Sequence, residues 1–110
     1  MTRIARDITR FTRTDIDYAF AHGKRILKSS SFDIIRAPRK KEFGRILIIV
    51  PKKVGSAPER NLVRRRLKSI FYEEKLYTAL YDYIFIVKKN VTVLSFQEMK
   101  TIVLGTLTVT

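Results

Sequence analysis

Ile46-Leu47-Ile48-Ile49-Val50-Pro51-Lys52-Lys53-Val54-Gly55-Ser56-Ala57-Pro58-Glu59-Arg60-Asn61-Leu62-Val63-Arg64-Arg65-Arg66-Leu67-Lys68-Ser69-Ile70-Phe71 runs from an apolar stretch, through a basic pair and a glycine, into an arginine-rich segment. The apolar part is continuous and mostly β-branched, which predicts a strand from Arg45 to Val50 with both faces covered. Ser56 with Glu59 three residues on has capping-box spacing. Pro58 suits a first helical turn, where its missing N–H has no intrahelical acceptor. A helix is therefore expected from there to about Lys75. A buried strand leading directly into a long helix sets a mixed α/β order.

The phase of that helix separates two kinds of residue. At about 100° per residue, Val63, Leu67, Ile70 and Phe71 share one arc suited to burial. Asn61, Arg64, Arg65 and Lys68 occupy the adjoining arc, with Arg60 at the border and Arg66 on the other flank beside Leu62. An ordinary solvated face would carry interspersed Glu, because Glu–Lys pairs one turn apart support exposed helices. No acid lies between Arg60 and Ser69. Asn61 is either a plain surface residue or a hydrogen-bonding partner for a base edge or ribose.

Charge is uneven along the whole chain. Residues 36–68 hold twelve Lys and Arg against two Glu, within a net charge of +13, while residues 69–110 sum to zero. Such asymmetry points to a polyanion, because each cation that meets a phosphate releases a condensed counterion. Nucleic acid is the first expectation. The 110 residues fit one domain, and a hydrophobic content of 45% places the charge on a folded body. The chain has no cysteine, which excludes disulfides and Cys-ligated zinc and suits a cytoplasmic protein. No apolar run approaches the roughly 20 residues that span a bilayer, and the first residues lack the apolar centre of a signal peptide. No membrane and no obligate protein partner is expected.

Other elements follow by local signals. Thr14 or Asp15 is expected to cap a helix over Ile16 to His22, with Gly23 past its end. Phe32 to Ala37 reads as a strand ended by Pro38, joined through polar residues 39–42 to the Arg45 strand as a two-strand hairpin. Tyr83 to Lys88 reads as a third strand. Ser95 and Glu98 repeat the capping-box spacing and open a last helix, Phe96 to about Leu104, with Met99, Ile102 and Val103 on its apolar side. The tail after Gly105 is β-rich and expected to fray.

Catalytic chemistry by the protein itself finds little support. His22, the single histidine, sits at a helix end, where a cap on the final carbonyls is the ordinary role. Asp7, Asp15, Asp17 and Asp33 do not cluster as a metal-dependent nuclease would require.

Lys-Lys-Val-Gly-x-Ala-x-x-Arg-Asn-x-x-Arg-Arg-x-Leu-Lys-x-x-Phe, starting at Lys52, resembles the signature of the bacterial ribonuclease P protein component. Asp15-x-x-x-x-Phe20-x-His22-Gly23 is similar to that family's first helix. Tyr81-Asp82-Tyr83-Ile84-Phe85-Ile86-Val87 is similar to its late strand, and Leu94-Ser95-Phe96-x-Glu98 to the start of its last helix. The matches cover roughly residues 10–104 in order.

The resemblance implies an α+β fold, a single-domain α/β sandwich with a central sheet of about four strands. It is similar to the second domain of ribosomal protein S5 and has a left-handed βαβ crossover. It implies a subunit that works beside a catalytic RNA in removing 5′ leaders from precursor tRNA, with Mg²⁺ held mainly by the RNA. Lys52, Lys53, Arg60, Asn61, Arg64, Arg65 and Lys68 would face the catalytic RNA. Ile16, Phe20 and Lys88 would line a cleft for the single-stranded leader, where an exposed ring stacks on a base.

This chain departs from the family at Leu62, where a basic residue is usual, and at Ile16, where an aromatic is usual. Ile34 and Ile35 stand where a strand Tyr is often seen, and Pro51 replaces a small polar residue. Phe11 or Tyr18 can substitute as a stacking ring or can serve as packing. A ribosomal-type or general RNA-binding chaperone, and a small stand-alone nuclease, are the competing expectations.

Overall fold

A computed structural model describes residues 3–108. The helices are α1 (Arg3–Asp7), α2 (Arg13–His22), α3 (Ala57–Glu73) and α4 (Phe96–Leu107), and the strands are β1 (Lys24–Leu27), β2 (Phe32–Pro38), β3 (Ile46–Ile49) and β4 (Tyr81–Val87). The strands form one sheet in the order β1-β2-β4-β3. β1–β2 and β2–β4 are antiparallel, and β3–β4 is parallel. The architecture is α+β: α2 lies on one face of the sheet, and α3 and α4 pack on the other.

The pairing overturns the expected hairpin between the Phe32 and Arg45 strands. β4 sits between them, paired with β2 along its whole length from Phe32↔Val87 to Pro38↔Tyr81. The actual hairpin joins β1 to β2, and β1 (Lys-Arg-Ile-Leu) is half charged, so it carries no clear strand signal. Burial shifts accordingly. β4 takes the central place, with Asp82 to Phe85 and Val87 buried. β3 is an edge strand in which only Ile46 is buried, so both of its faces are not covered as expected.

On the larger core face, Phe32, Ile34, Ile46, Tyr83, Phe85 and Val87 meet Val63, Leu67, Ile70 and Phe71 of α3 and Met99, Val103 and Leu107 of α4. The predicted apolar arc of α3 is thus the buried one. The helix stops at Glu73, earlier than expected, and Lys75 follows in the left-handed region with φ 52°. α4 runs through Gly105 to Leu107, contrary to the frayed tail expected there. Burying Leu107 in line with Met99 and Val103 offsets the roughly 1 kcal/mol that a helical glycine costs. Residues 109–110 lie outside the described residues.

On the other face, Ala19 of α2 packs against Ile35, Ala37 and Ile84. Gly23 ends α2 where a Cβ would come within 2.5 Å of both the Ala19 carbonyl oxygen and Ile35 Cγ2. Its requirement is closeness of helix to strand, not a left-handed backbone. The N-cap is Thr12 and not Thr14 or Asp15. Thr12 Oγ1 accepts from the Asp15 N–H at 3.1 Å, and Asp15 Oδ2 accepts from the Thr12 N–H at 3.0 Å. Among the described residues, no helix is long and apolar enough to cross a membrane.

Candidate nucleic-acid interface

The basic face of α3 begins with its cap. Ser56 Oγ accepts from the Glu59 N–H at 3.3 Å, and Glu59 Oε1 accepts from the Ser56 N–H at 2.9 Å. These bonds hold the Glu59 carboxyl below its ordinary range. The cap anchors the helix where Val63 and Leu67 turn inward, and the same phase turns Asn61 and Arg65 fully outward. Arg60, Arg64 and Lys68 are half-buried, and Arg60 Nε is buried without a hydrogen-bond partner among the described residues. Lys52 and Lys53 are exposed on the 3-10 turn Lys52–Val54 just before the cap.

Among the described residues, none of Lys52, Lys53, Arg60, Arg64, Arg65 and Lys68 has a carboxylate within ion-pair distance. Arg64 Nη1 donates to Asn61 Oδ1 at 3.0 Å, so Asn61 fixes one arginine fork while its amide N–H groups stay outward. Arg64, Arg65 and Lys68 also border a shallow groove of about 270 Å³ along the outer edge of β3, together with Thr9, Ile46, Leu47 and Ile48. The face can do one thing chemically: place several uncompensated cations, and a groove beside them, against a polyanion.

The three residues expected in a leader cleft fall on the α2 side of the sheet. Ile16 is half-buried, and Phe20, one turn on, is 46% exposed. Lys88 lies at the end of β4, on the same sheet face as Ile84 and Ile86. Its Nζ is held by Asp33 Oδ1 at 2.8 Å and donates to the Ser29 carbonyl at 2.7 Å. Of the alternative rings, Phe11 lies beneath the Arg45 guanidinium, 4.3 Å from its ring centre. Tyr18 stacks on His22 and carries Lys40 Nζ 4.7 Å from its ring centre. Both rings are thus engaged in packing, and Phe20 is the ring left open. Ile34 and Ile35 are both buried.

Sequence reasoning missed the residue that ties this side together. Arg45, 1% exposed, donates from Nη1 to the Arg10 carbonyl and to Asp15 Oδ2, each at 2.9 Å, and from Nη2 to Asp82 Oδ2 at 3.0 Å. Its backbone N–H donates to Asp82 Oδ1 at 2.9 Å. The Thr12 N–H and then the Arg45 guanidinium hold the Asp15 carboxyl down at about 2. Burial pushes the Asp82 carboxyl up, against the pull of Arg45. Burial also pushes Asp33 up, but the Lys88 ammonium and the Ser29 N–H outweigh it and hold that carboxyl low. An arginine directly ahead of a continuous apolar run was the available signal, since a sealed cation needs acids nearby.

No group of three or more His, Cys, Asp or Glu that could hold a metal occurs among the described residues. Asp15, Asp33 and Asp82 are each spent on a cation. His22 Nδ1 hydrogen-bonds the Tyr18 carbonyl at 3.0 Å, a role on its own helix end.

The Ribonuclease P family matches residues 8–108 of this chain. The ribonuclease P protein component of Petrotoga mobilis is 35% identical over 74 residues, covering 66% of this chain and 62% of that relative, so the chain spans less than two thirds of its length. That of Streptococcus agalactiae is 28% identical over 86 residues, covering 78% of each. The fold is similar to the RNase P protein of Staphylococcus aureus, with a TM-score of 0.80, 19% identity, and coverage of 93% of this chain and 94% of that one. It is similar also to the RNase P protein of Thermotoga maritima, with a TM-score of 0.79, 22% identity, and coverage of 93% and 96%.

Proposed function

This chain belongs to the ribonuclease P protein family, and we propose that it is the protein subunit of a ribonuclease P that removes 5′ leaders from precursor tRNA. The observation that carries this reading is the α3 face, where Lys52, Lys53, Arg60, Arg64, Arg65 and Lys68 have no carboxylate partner among the described residues. Those cations, with Asn61, meet the phosphates of the catalytic RNA and release its counterions on assembly. On the opposite side of the sheet, Ile16, Phe20 and Lys88 receive the leader. Phe20 stacks on an unpaired base, and the free N–H of Lys88 reaches a phosphate.

The chemistry belongs to the RNA. Divalent ions such as Mg²⁺ would be held by RNA phosphates and would there supply Lewis-acid activation of water. Among the described residues no group of three or more His, Cys, Asp or Glu offers a cradle for them, and Asp15, Asp33 and Asp82 already answer to Arg45 and Lys88. The protein contributes charge neutralisation and positioning, so it lowers the Mg²⁺ needed and raises affinity for leader-bearing substrate.

Cleavage of precursor tRNA by protein alone, by catalytic RNA alone and by both at low Mg²⁺ tests the reading. Cleavage only by the combination is expected. Activity of the protein alone would make it a nuclease, and binding without any gain in cleavage would make it a general RNA chaperone.

A further inference from the structure

β3 lies at the edge of the sheet, and successive residues of a strand turn their peptide groups to opposite sides. The Arg45 carbonyl accepts from the Tyr83 N–H at 2.8 Å, so Arg45, Leu47 and Ile49 turn theirs toward β4. Ile46 and Ile48 turn theirs outward. The Ile46 N–H donates to the Ile8 carbonyl at 2.7 Å, which covers the start of this edge with the segment that follows α1. Ile48 has no such cover. Among the described residues, neither its N–H nor its carbonyl has a hydrogen-bond partner.

That pair is half-buried, where an unanswered donor and acceptor cost free energy until a ligand or water meets them. Ile48 lines the groove of about 270 Å³ that Arg64, Arg65 and Lys68 border. Those three cations have no carboxylate within ion-pair distance among the described residues. The floor thus supplies one donor and one acceptor, and the rim supplies positive charge.

Each part of this set answers a part of a ribose–phosphate chain. Phosphate oxygens only accept, and they meet the two arginines and the lysine. A ribose 2′-hydroxyl both donates and accepts, so it matches the carbonyl and N–H of one strand residue. It is also the group by which a protein tells RNA from DNA. An acidic peptide adding itself as a strand would need a row of open peptide groups. Ile8 takes the first of them and β3 ends at Ile49, so Ile48 alone remains.

We infer that the outer edge of β3 reads ribose: the Ile48 N–H and carbonyl bond a 2′-hydroxyl of the catalytic RNA, whose adjoining phosphates lie on Arg64, Arg65 and Lys68. The inference rests on the assignment of the α3 face to that RNA. It adds what the cations of α3 do not supply, a preference for RNA over DNA.

The test titrates the full chain with catalytic RNAs that each carry one 2′-deoxy sugar. At one position, or two adjoining ones, loss of the hydroxyl should weaken binding about three- to tenfold, the share of a single hydrogen bond. Ile48→Pro removes the outward N–H and spares the ladder to β4, whereas Ile48→Ala shortens the side chain and keeps that N–H. The deoxy penalty is expected to persist in Ile48→Ala and to vanish in Ile48→Pro. An RNA with no sensitive position would overturn the inference, as would equal penalties in the two variants. Should Ile48→Pro fail to fold, amide hydrogen exchange of the parent chain decides. The Ile48 N–H is expected to exchange about tenfold more slowly, or slower still, once catalytic RNA is bound. Unchanged exchange would overturn the inference, and so would slowing by a Glu-rich peptide but not by the RNA, which would give the edge to a protein strand. A parent chain that does not bind catalytic RNA at all would instead sink the α3 reading beneath it.

Discussion

Two arginine settings divide this molecule. On α3, Arg64 and Arg65 stand on a helix flank with no acid in ion-pair reach among the described residues, whereas Arg45 is sealed just ahead of β3 between Asp15 and Asp82. The residue type is the same and the consequence is opposite. A cation without an internal acid leaves its charge for an outside partner, while one matched by two acids becomes a bolt between elements. What separates the two settings is whether an acid lies in reach, not the number of cations.

The largest effect is expected from breaking the bolt. Arg45→Ala strips the guanidinium from Asp15 and from buried Asp82, leaving them the Thr12 and residue-45 backbone N–H groups, and should destabilise by about 3–5 kcal/mol, read as a drop in urea midpoint. An unchanged midpoint would mean that water enters the node and that the contrast with α3 is one of degree.

Leu67→Ala tests the other boundary, between the basic flank of α3 and its buried arc. Leu67 is 1% exposed, and its truncation should cost about 2–5 kcal/mol. Coincident urea curves would put the helix phase, and with it the outward direction of Arg64, in error.

Rings repeat the contrast. Phe71 is wholly buried and Phe20 is 46% exposed. Phe20→Ala should weaken binding of leader-bearing precursor by about 1–3 kcal/mol while mature tRNA binds as before. Equal losses for both RNAs, together with a lower melting temperature, would return Phe20 to the core.

Arg64→Ala with Arg65→Ala sharpens the comparison from the exposed side. Stability should move by no more than about 0.5 kcal/mol, as for ordinary surface changes. The log–log salt dependence of catalytic RNA binding should flatten by about two units. A salt slope equal to that of the parent chain would remove both residues from the interface.

The smallest effect is confined to acid. Asp15 titrates near 2 in the fold against an ordinary 3.8, so its contribution is complete above about pH 4 and is lost as the pH falls toward 2. Asp82, pushed up by burial, runs the other way, because protonation relieves its cost. Asp15→Asn should therefore lower the midpoint at pH 5 and shrink the further loss between pH 4 and 2. Parallel acid limbs for both proteins would show that Asp15 gains nothing from the Thr12 N–H and the Arg45 guanidinium.

Helices were read from sequence better than strands, for a physical reason. The Ser56–Glu59 and Ser95–Glu98 boxes and the arc of Val63, Leu67, Ile70 and Phe71 are local, and their partners lie within a few residues. Strand order is not local. Nothing in Phe32 to Val50 announces that a strand from beyond α3 enters between its two apolar runs. The Arg45 node was hidden likewise, since its acids lie 30 and 37 residues away. Thr12 was passed over as a cap because Thr14 and Asp15 stand nearer the first apolar residue. Its reciprocal bonds with Asp15 decided the matter. The basic flank was legible because repulsion along a helix is itself a local signal, whereas Phe20 was singled out only by the family resemblance.

The central place of β4 has a consequence during synthesis. A chain emerging from the ribosome delivers β1, β2 and β3 first, but β2 and β3 have no common ladder until Tyr81–Val87 arrives and joins them. Until then each presents a bare apolar edge, the state in which nascent chains stick to one another. α3 is complete before that, yet its apolar arc has only half a sheet to lie on. Its basic flank thus acquires a fixed direction only when the late strand closes the gap. A messenger truncated ahead of Tyr81 would release a chain with every α3 cation and no surface to hold them in register.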